Sequence, residues 1–297
     1  MRVAITGASG LIGAALSSHL GNLGHDVCPV VRRAPGDNEI GWGPTADSLE
    51  PGALEGIDAV VHLAGAGIGD RRWTPAYKET IRSSRVGPTQ HLAESIARST
   101  NGPRIFLSGS AIGVYGSGTE PVDESHPAGS GFLADVCVEW EQAATPAVDA
   151  GCRVAFLRTG IVLSTAGGAL RKQLPLFRFG LGGRMGDGRQ WQSWISIDDE
   201  VGAITHLLNG DISGPVNLTA PQPVTNAEFT TELGRAVRRP TILPIPKFGP
   251  RALLGAELAE NLLFSGQHVL PTVLHDSGYD FHHPTLRDAL SHLLGRG

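Results

Sequence analysis

The first twenty residues constrain the fold most. Arg2 to Thr6 is a short apolar run that stops at Gly7, glycines recur at 10 and 13, and Leu11, Ile12, Ala15, Leu16 and Leu20 then follow at helical spacing. The segment reads as strand, tight turn and helix. Gly7 can take a turn that a Cβ would obstruct, Gly10 lets the backbone approach a diphosphate, and Gly13 lets the helix pack close to the strand. The helix start then offers free N–H groups and the positive end of its dipole to an anion. In a chain with 40 glycines among 297 residues, a glycine triplet can be no more than a turn. Its placement directly between a strand and a helix favours a dinucleotide cradle made of Gly7, Ala8, Ser9, Gly10, Leu11 and Ile12.

The same alternation continues. Gly24 ends the first helix and His25 to Val31 supplies the next apolar run, so strand, helix and strand fit one crossover. Ala59 to Leu63, Arg104 to Leu107 and Val154 to Leu157 read as strands; Pro75 to Arg98 and Asp135 to Ala150 read as helices. Unbroken apolar strands separated by helices predict an α/β chain with a Rossmann-type, doubly wound parallel sheet. Beyond about residue 160 glycine-rich and proline-rich stretches appear. Even so, Thr225 and Glu228 form a capping box ahead of Phe229, Leu233 and Val237, and Leu286, Leu290 and Leu293 mark a terminal helix. Pro215 to Leu218 reads as a strand returning to the sheet. The expected division is a nucleotide-binding domain over 1–220, with residues 160–200 partly contributing to a smaller substrate lobe, and a C-terminal lobe over 221–297.

Composition excludes several classes. Cys28, Cys137 and Cys152 are irregularly spaced, without a CxxC pair or a histidine at ligand spacing, so no metal is expected and the compartment reads as reducing. The opening segment lacks the basic and long apolar regions of an export signal, and no run reaches the ~20 apolar residues that span a bilayer. The expected location is therefore the cytoplasm, away from membranes. A net charge of -5 without blocks argues against nucleic acid.

The second strand ends in Arg32 and Arg33, where a protein preferring NAD would carry an acid for the ribose hydroxyls, and no acid follows until Asp37. Guanidinium groups there can hold a 2′-phosphate bidentately, which points to NADP(H); a solvated surface pair is the plainer alternative. Leu63, Ala64 and Gly65 end the next strand in small residues suited to passing close to adenine and ribose. His62 by itself is more often structural than catalytic.

With Asp58 to Ala64 matching a DxVxHLA strand, the chain resembles the extended short-chain dehydrogenase/reductases over nearly its whole length. Gly69 to Thr74, Ser84 to Val86, Trp140-Glu141, Gly186 to Gly188, Trp194 to Asp199 and Ser277 to Phe281 make it similar to an atypical subgroup, the epimerase family proteins. That resemblance implies a Rossmann domain binding NADP, a characteristic C-terminal region and an unassigned activity. In the parent family a serine, a tyrosine and a lysine four residues after the tyrosine move the proton, the ammonium lowering the phenol's pKa. Here the residues four beyond Tyr77, Tyr115 and Tyr279 are Ile81, Thr119 and His283, so no YxxxK exists. Leu133 and Cys137 stand at that spacing in the expected place. The serine site survives as Ser108-Gly109-Ser110 at the end of a strand, and Arg85 stands where the family usually has asparagine.

Ser110 and Tyr115 are the catalytic candidates, each with a bland counterpart as a turn serine or loop tyrosine, and Arg85 is expected to contact cofactor. Cys137 is a weaker candidate, since a buried thiol is usually inert. Asp123 and Glu124 read as a solvated loop end rather than an acid/base pair. Gly183 to Trp191, followed by Trp194, either covers a substrate or forms ordinary core. Two functions stay open: an oxidoreductase or epimerase-like enzyme accepting a small organic substrate between the lobes, or a non-catalytic NADP(H)-binding regulator or scaffold. A homodimer is common in this fold.

Overall fold

The computed structural model describes residues 1–42, 49–50 and 52–295. The sheet strands are β1 (Arg2–Thr6), β2 (Asp26–Val31), β3 (Ile40–Gly41), β4 (Ala59–His62), β5 (Ile105–Ala111), β6 (Arg153–Thr159) and β7 (Gly214–Leu218). The helices that matter for the site are α1 (Leu11–Asn22), α2 (Pro75–Arg98), α3 (Phe132–Gln142), α4 (Ile197–Asn209), α5 (Asn226–Val237) and α6 (Leu286–Leu293). The sheet order is β3-β2-β1-β4-β5-β6-β7, and every neighbouring pair is parallel. Chain order reverses between β1 and β4, and in open α/β sheets ligands bind outside the carboxyl ends of strands at such a reversal.

Helices cover both faces because the strands are apolar on both. Leu16 and Leu20 of α1 and Val201, Ile204 and Leu207 of α4 pack on Val3, Ile5, Val61 and Leu107. Leu92, Ala93 and Ile96 of α2 pack on Ala4, Val60 and Phe106 from the other side. Each such leucine or isoleucine, removed wholly from water, contributes about 1.5–3 kcal/mol before entropy is counted. A third cluster joins Leu163, Leu170, Phe177 and Trp194 to Phe229 and Leu233 of α5 and Leu286 and Leu290 of α6.

The expected helix over 135–150 is two helices, α3 and Thr145–Asp149. Pro146 stands in the first turn of the second, where its missing N–H leaves nothing unsatisfied and its fixed φ helps a helix start. Trp194 does not cover a substrate: it is fully buried in the third cluster, and its indole N–H donates to the carbonyl of Gln222 at 3.0 Å.

Candidate functional site

The site begins at the turn after β1. Gly7 has φ +67°, and a Cβ there would lie 2.9 Å from the backbone of Leu63. A Cβ on Gly13 would sit 2.2 Å from the carbonyl oxygen of Gly7. Both contacts are with backbone that cannot swing away, so the turn and the first helical turn admit only glycine at these positions. Gly10 is the N-cap of α1, and no side chain caps that end. Among the described residues, the first N–H groups of α1 therefore lack a partner and face the carboxyl edge of the sheet, an arrangement suited to an anion. Ala8, Ser9, Leu11 and Ile12 form the rest of this rim, with Ser9 exposed.

Beside it, the hydroxyl of Thr6 ties β1 to the end of β4. Its Oγ1 accepts from the amides of Leu63 and Ala64 at 3.1 and 3.2 Å and lies 2.6 Å from Nδ1 of His62. His62 is fully buried, stacks on Trp42, and is pushed down to about 3 by desolvation. It is a neutral structural residue. Gly65 follows, and the Arg85 guanidinium lies against it, 3.2 Å from the position of a Cβ. Arg85 donates to the carbonyl of Ile81 at 3.0 Å and lies over the Trp140 ring at 5.1 Å. No carboxylate forms an ion pair with it among the described residues, and burial lowers its pKa.

The arginines after β2 are not equivalent. Arg33 holds Glu39 bidentately, at 2.8 and 2.6 Å, and Glu39 also accepts from the amide of Gly36 at 2.7 Å. Arg32 is exposed and has no ion-pair partner among the described residues.

The two catalytic candidates are brought together, though as members of an internal network. Ser110, 5% exposed, donates to Oε1 of Glu141 at 2.7 Å. Glu141 holds Arg158 bidentately, with Nε–Oε1 at 2.8 Å and Nη2–Oε2 at 2.9 Å. Arg158 donates in turn to the Tyr115 hydroxyl at 2.9 Å, and that hydroxyl donates to Oδ1 of Asn217 at 2.8 Å. The network braces β5, β6 and β7 against α3. Burial raises the Tyr115 pKa, with Arg158 acting against the rise. Leu133 and Cys137 both approach Gly113, in the turn that carries Tyr115. The Cys137 thiol is pushed up to about 12 by burial, so little thiolate exists near neutral pH.

Glu124 is not a solvated loop end. It is half-buried, its Oε1 accepts from the amides of Asn217 and Val273 at 2.9 and 3.3 Å, and its Oε2 is buried without a partner among the described residues. Burial raises its pKa. Asp123 instead orders the local turn by accepting from the amide and hydroxyl of Ser125. Trp191, half-buried, stacks on His268 with ring centroids 3.9 Å apart.

A cleft of about 580 Å³ opens where the starts of α2 and α3 meet the Ala256–Ala259 helix, lined by Trp73, Lys78, Arg82, Phe132, Asp135 and Glu257 among others. Lys78 bonds Glu257 at 2.6 Å and lies 4.4 Å over the Phe132 ring. Neither Ser110 nor Tyr115 lines this cleft.

Residues 3–218 match the model of the NAD dependent epimerase/dehydratase family, and residues 245–293 match a domain of unknown function, DUF1731. An epimerase family protein of Mycobacterium bovis is 48% identical, covering 99% of this chain and 98% of its own length. The human epimerase family protein SDR39U1 is 36% identical, covering 99% of this chain and all of its own length. A crystal structure of human SDR39U1 with NADPH superposes with a TM-score of 0.92 at 35% identity, covering 99% of both chains. A nucleoside-diphosphate sugar epimerase of Corynebacterium glutamicum gives a TM-score of 0.82 at 40% identity, covering 99% of this chain and 58% of that one. No helix among the described residues is long and apolar enough to cross a membrane.

Proposed function

The chain belongs to the NAD dependent epimerase/dehydratase family, and on that footing we propose that it binds NADP(H) and acts as an oxidoreductase or epimerase-like enzyme on a small organic substrate. The observation that carries the reading is the start of α1: amides that no side chain caps, reached through glycines at which a Cβ would meet backbone. Gly7, Ala8, Ser9, Gly10, Leu11 and Ile12 would hold the diphosphate; Leu63, Ala64 and Gly65 would border the adenosine. Arg32 would take the 2′-phosphate, with Arg33 in reserve behind Glu39. The NADPH bound to human SDR39U1 supports this choice. The expected setting is the cytoplasm.

When bound, the nicotinamide supplies or accepts a hydride. The chain contributes binding, orientation and charge. Arg85, beside Gly65 and without a carboxylate partner among the described residues, is fit to hold a cofactor oxygen or a negative oxygen on a substrate. Ser110 and Tyr115 can give or take a proton only by releasing Glu141 or Asn217, which makes them costly acids. Proton exchange with water or within the substrate fits the residues at least as well.

This engagement of both hydroxyls favours a second reading, a non-catalytic NADP(H)-binding regulator or scaffold. The two are separated by following label from stereospecifically deuterated NADPH into a panel of carbonyl and enone compounds. Transfer supports the enzyme; tight NADPH binding with no transfer across the panel supports the regulator. Absence of NADPH and NADP binding would sink both.

A further inference from the structure

The first turn of α4 and the C-terminal segment bring together groups that the nucleotide site does not use. One carboxylate oxygen of Asp198 and one ring nitrogen each of His283 and His292 lie within 4.8 Å of one another. Nε2 of His292 is 3.2 Å from Oδ2 of Asp198, and the two histidine rings are 4.6 Å apart. We propose that Asp198, His283 and His292 form a binding site for a divalent transition-metal ion of the zinc type, which clasps α6 and the C-terminal segment to the start of α4.

The groups behind His283 supply the reason. Asp199 is fully buried, and its carboxylate accepts from the amides of His282 and His283 at 2.7 and 3.0 Å and from the Ser196 hydroxyl at 2.8 Å. Because that hydroxyl spends its proton on Asp199, its oxygen accepts from Nδ1 of His283, 3.1 Å away. The proton of His283 is thereby assigned to Nδ1, which leaves the lone pair on Nε2, a nitrogen without a hydrogen bond among the described residues. A metal-binding histidine whose other nitrogen is wired toward a buried carboxylate is the arrangement that orients the ring and raises its basicity. Two imidazoles and a carboxylate select zinc, cobalt, nickel or copper over magnesium or calcium, which want oxygen alone.

Zinc with ligands at about 2.0–2.1 Å needs donor atoms about 3.3 Å apart. The exposed Asp198 and His292 side chains can close that difference by rotation, while His283, whose side chain is only 11% exposed, stays fixed. A water would complete the tetrahedron.

The test uses the full chain, stripped with chelator and titrated with zinc sulfate by calorimetry and with cobalt(II) chloride by absorption. The expected result is one tight site, visible cobalt bands of four- or five-coordinate type, and a melting temperature raised by at least about 2 °C with zinc. His292→Ala and Asp198→Ala, both at exposed positions, are each expected to weaken zinc binding at least about tenfold without lowering the metal-free melting temperature. Failure of the wild-type chain to take up one equivalent overturns the proposal. So does equal uptake by His292→Ala, which would place the ion on other side chains. His283→Ala is read only if its metal-free circular dichroism matches the wild type, and unchanged binding there also overturns the site.

Discussion

Arg158 and Glu141 face each other as a two-pronged ion pair with side chains only 10% and 14% exposed, and the hydroxyls of Ser110 and Tyr115 close onto its two ends. The pair lies in α3 and β6, one turn beyond Cys137, which stands at the spacing where the family's lysine would be. A buried cation is present near the site in this chain, but it is neutralised by its own carboxylate and spent on bracing the sheet.

Breaking that pair by one partner leaves the other charge desolvated. Glu141→Leu is therefore expected to cost about 3–5 kcal/mol in urea unfolding, while Glu141→Leu with Arg158→Met recovers most of the loss. If the single variant costs under about 1 kcal/mol, the pair is not the brace described. Tyr115→Phe removes one neutral partner from the network and is expected to cost about 1 kcal/mol with NADPH affinity unchanged.

Glycine at position 13 is required by the carbonyl of Gly7, with a Cβ only 2.2 Å away. Gly13→Ala should shift α1 off the turn, destabilise the fold by about 1–3 kcal/mol and weaken NADPH binding more than tenfold, read by thermal melting and fluorescence titration. Gly21, where a Cβ would meet nothing within 4 Å, serves as the control, and Gly21→Ala should be neutral or mildly stabilising. Equal effects at both positions would remove the steric argument.

How much of this was legible in residues alone follows how local each cause is. The β1-turn-α1 unit and the Thr225 capping box, in which Thr225 Oγ1 and Glu228 satisfy each other's backbone amides, are settled within a few residues. Reading Asp135 to Ala150 as one helix failed where Pro146 starts a second. Glu39 reaches Arg33 only because the chain turns back between β2 and β3, which no local pattern signals. Glu141 and Arg158, 17 residues apart, meet only because β6 lies beside β5 under α3. Glu124 reads as solvated from sequence because its partners, the amides of Asn217 and Val273, arrive from 93 and 149 residues away.

Glu200 introduces a dependence on pH. It is fully buried, accepts one hydrogen bond from Thr159 at 2.9 Å, has a second oxygen without a partner among the described residues, and is pushed up to about 8 by desolvation from an ordinary value of 4.5. Between those values the folded chain holds a proton that the unfolded chain has lost, so stability is fully present below about pH 4.5 and falls as pH rises toward 8. The loss is on the order of 5 kcal/mol across that window. Glu200→Gln keeps an acceptor for Thr159 without ionising, and should flatten the urea midpoint between pH 6 and 8.5. A variant that keeps the wild-type slope would place the titration elsewhere.

The final prediction separates the two arginines after β2. Arg33 is held by Glu39 at 2.6 and 2.8 Å, and the same carboxylate is fixed by the amide of Gly36. To bind a 2′-phosphate, Arg33 must first leave that carboxylate, whereas Arg32 has no comparable partner among the described residues to give up. A hydrogen-bonded charge contact is worth about 1.5–3 kcal/mol, or roughly ten- to a hundredfold in affinity. Arg32→Ala should therefore lower NADPH affinity by that factor with NADH affinity unchanged, and Arg33→Ala should lower it less. Glu39→Gln frees Arg33 and should tighten NADPH binding, most visibly at low salt, where the phosphate charge is least screened. If Arg33→Ala is instead the more damaging change, Glu39 positions the phosphate ligand and does not compete for it, and the roles of the two arginines reverse.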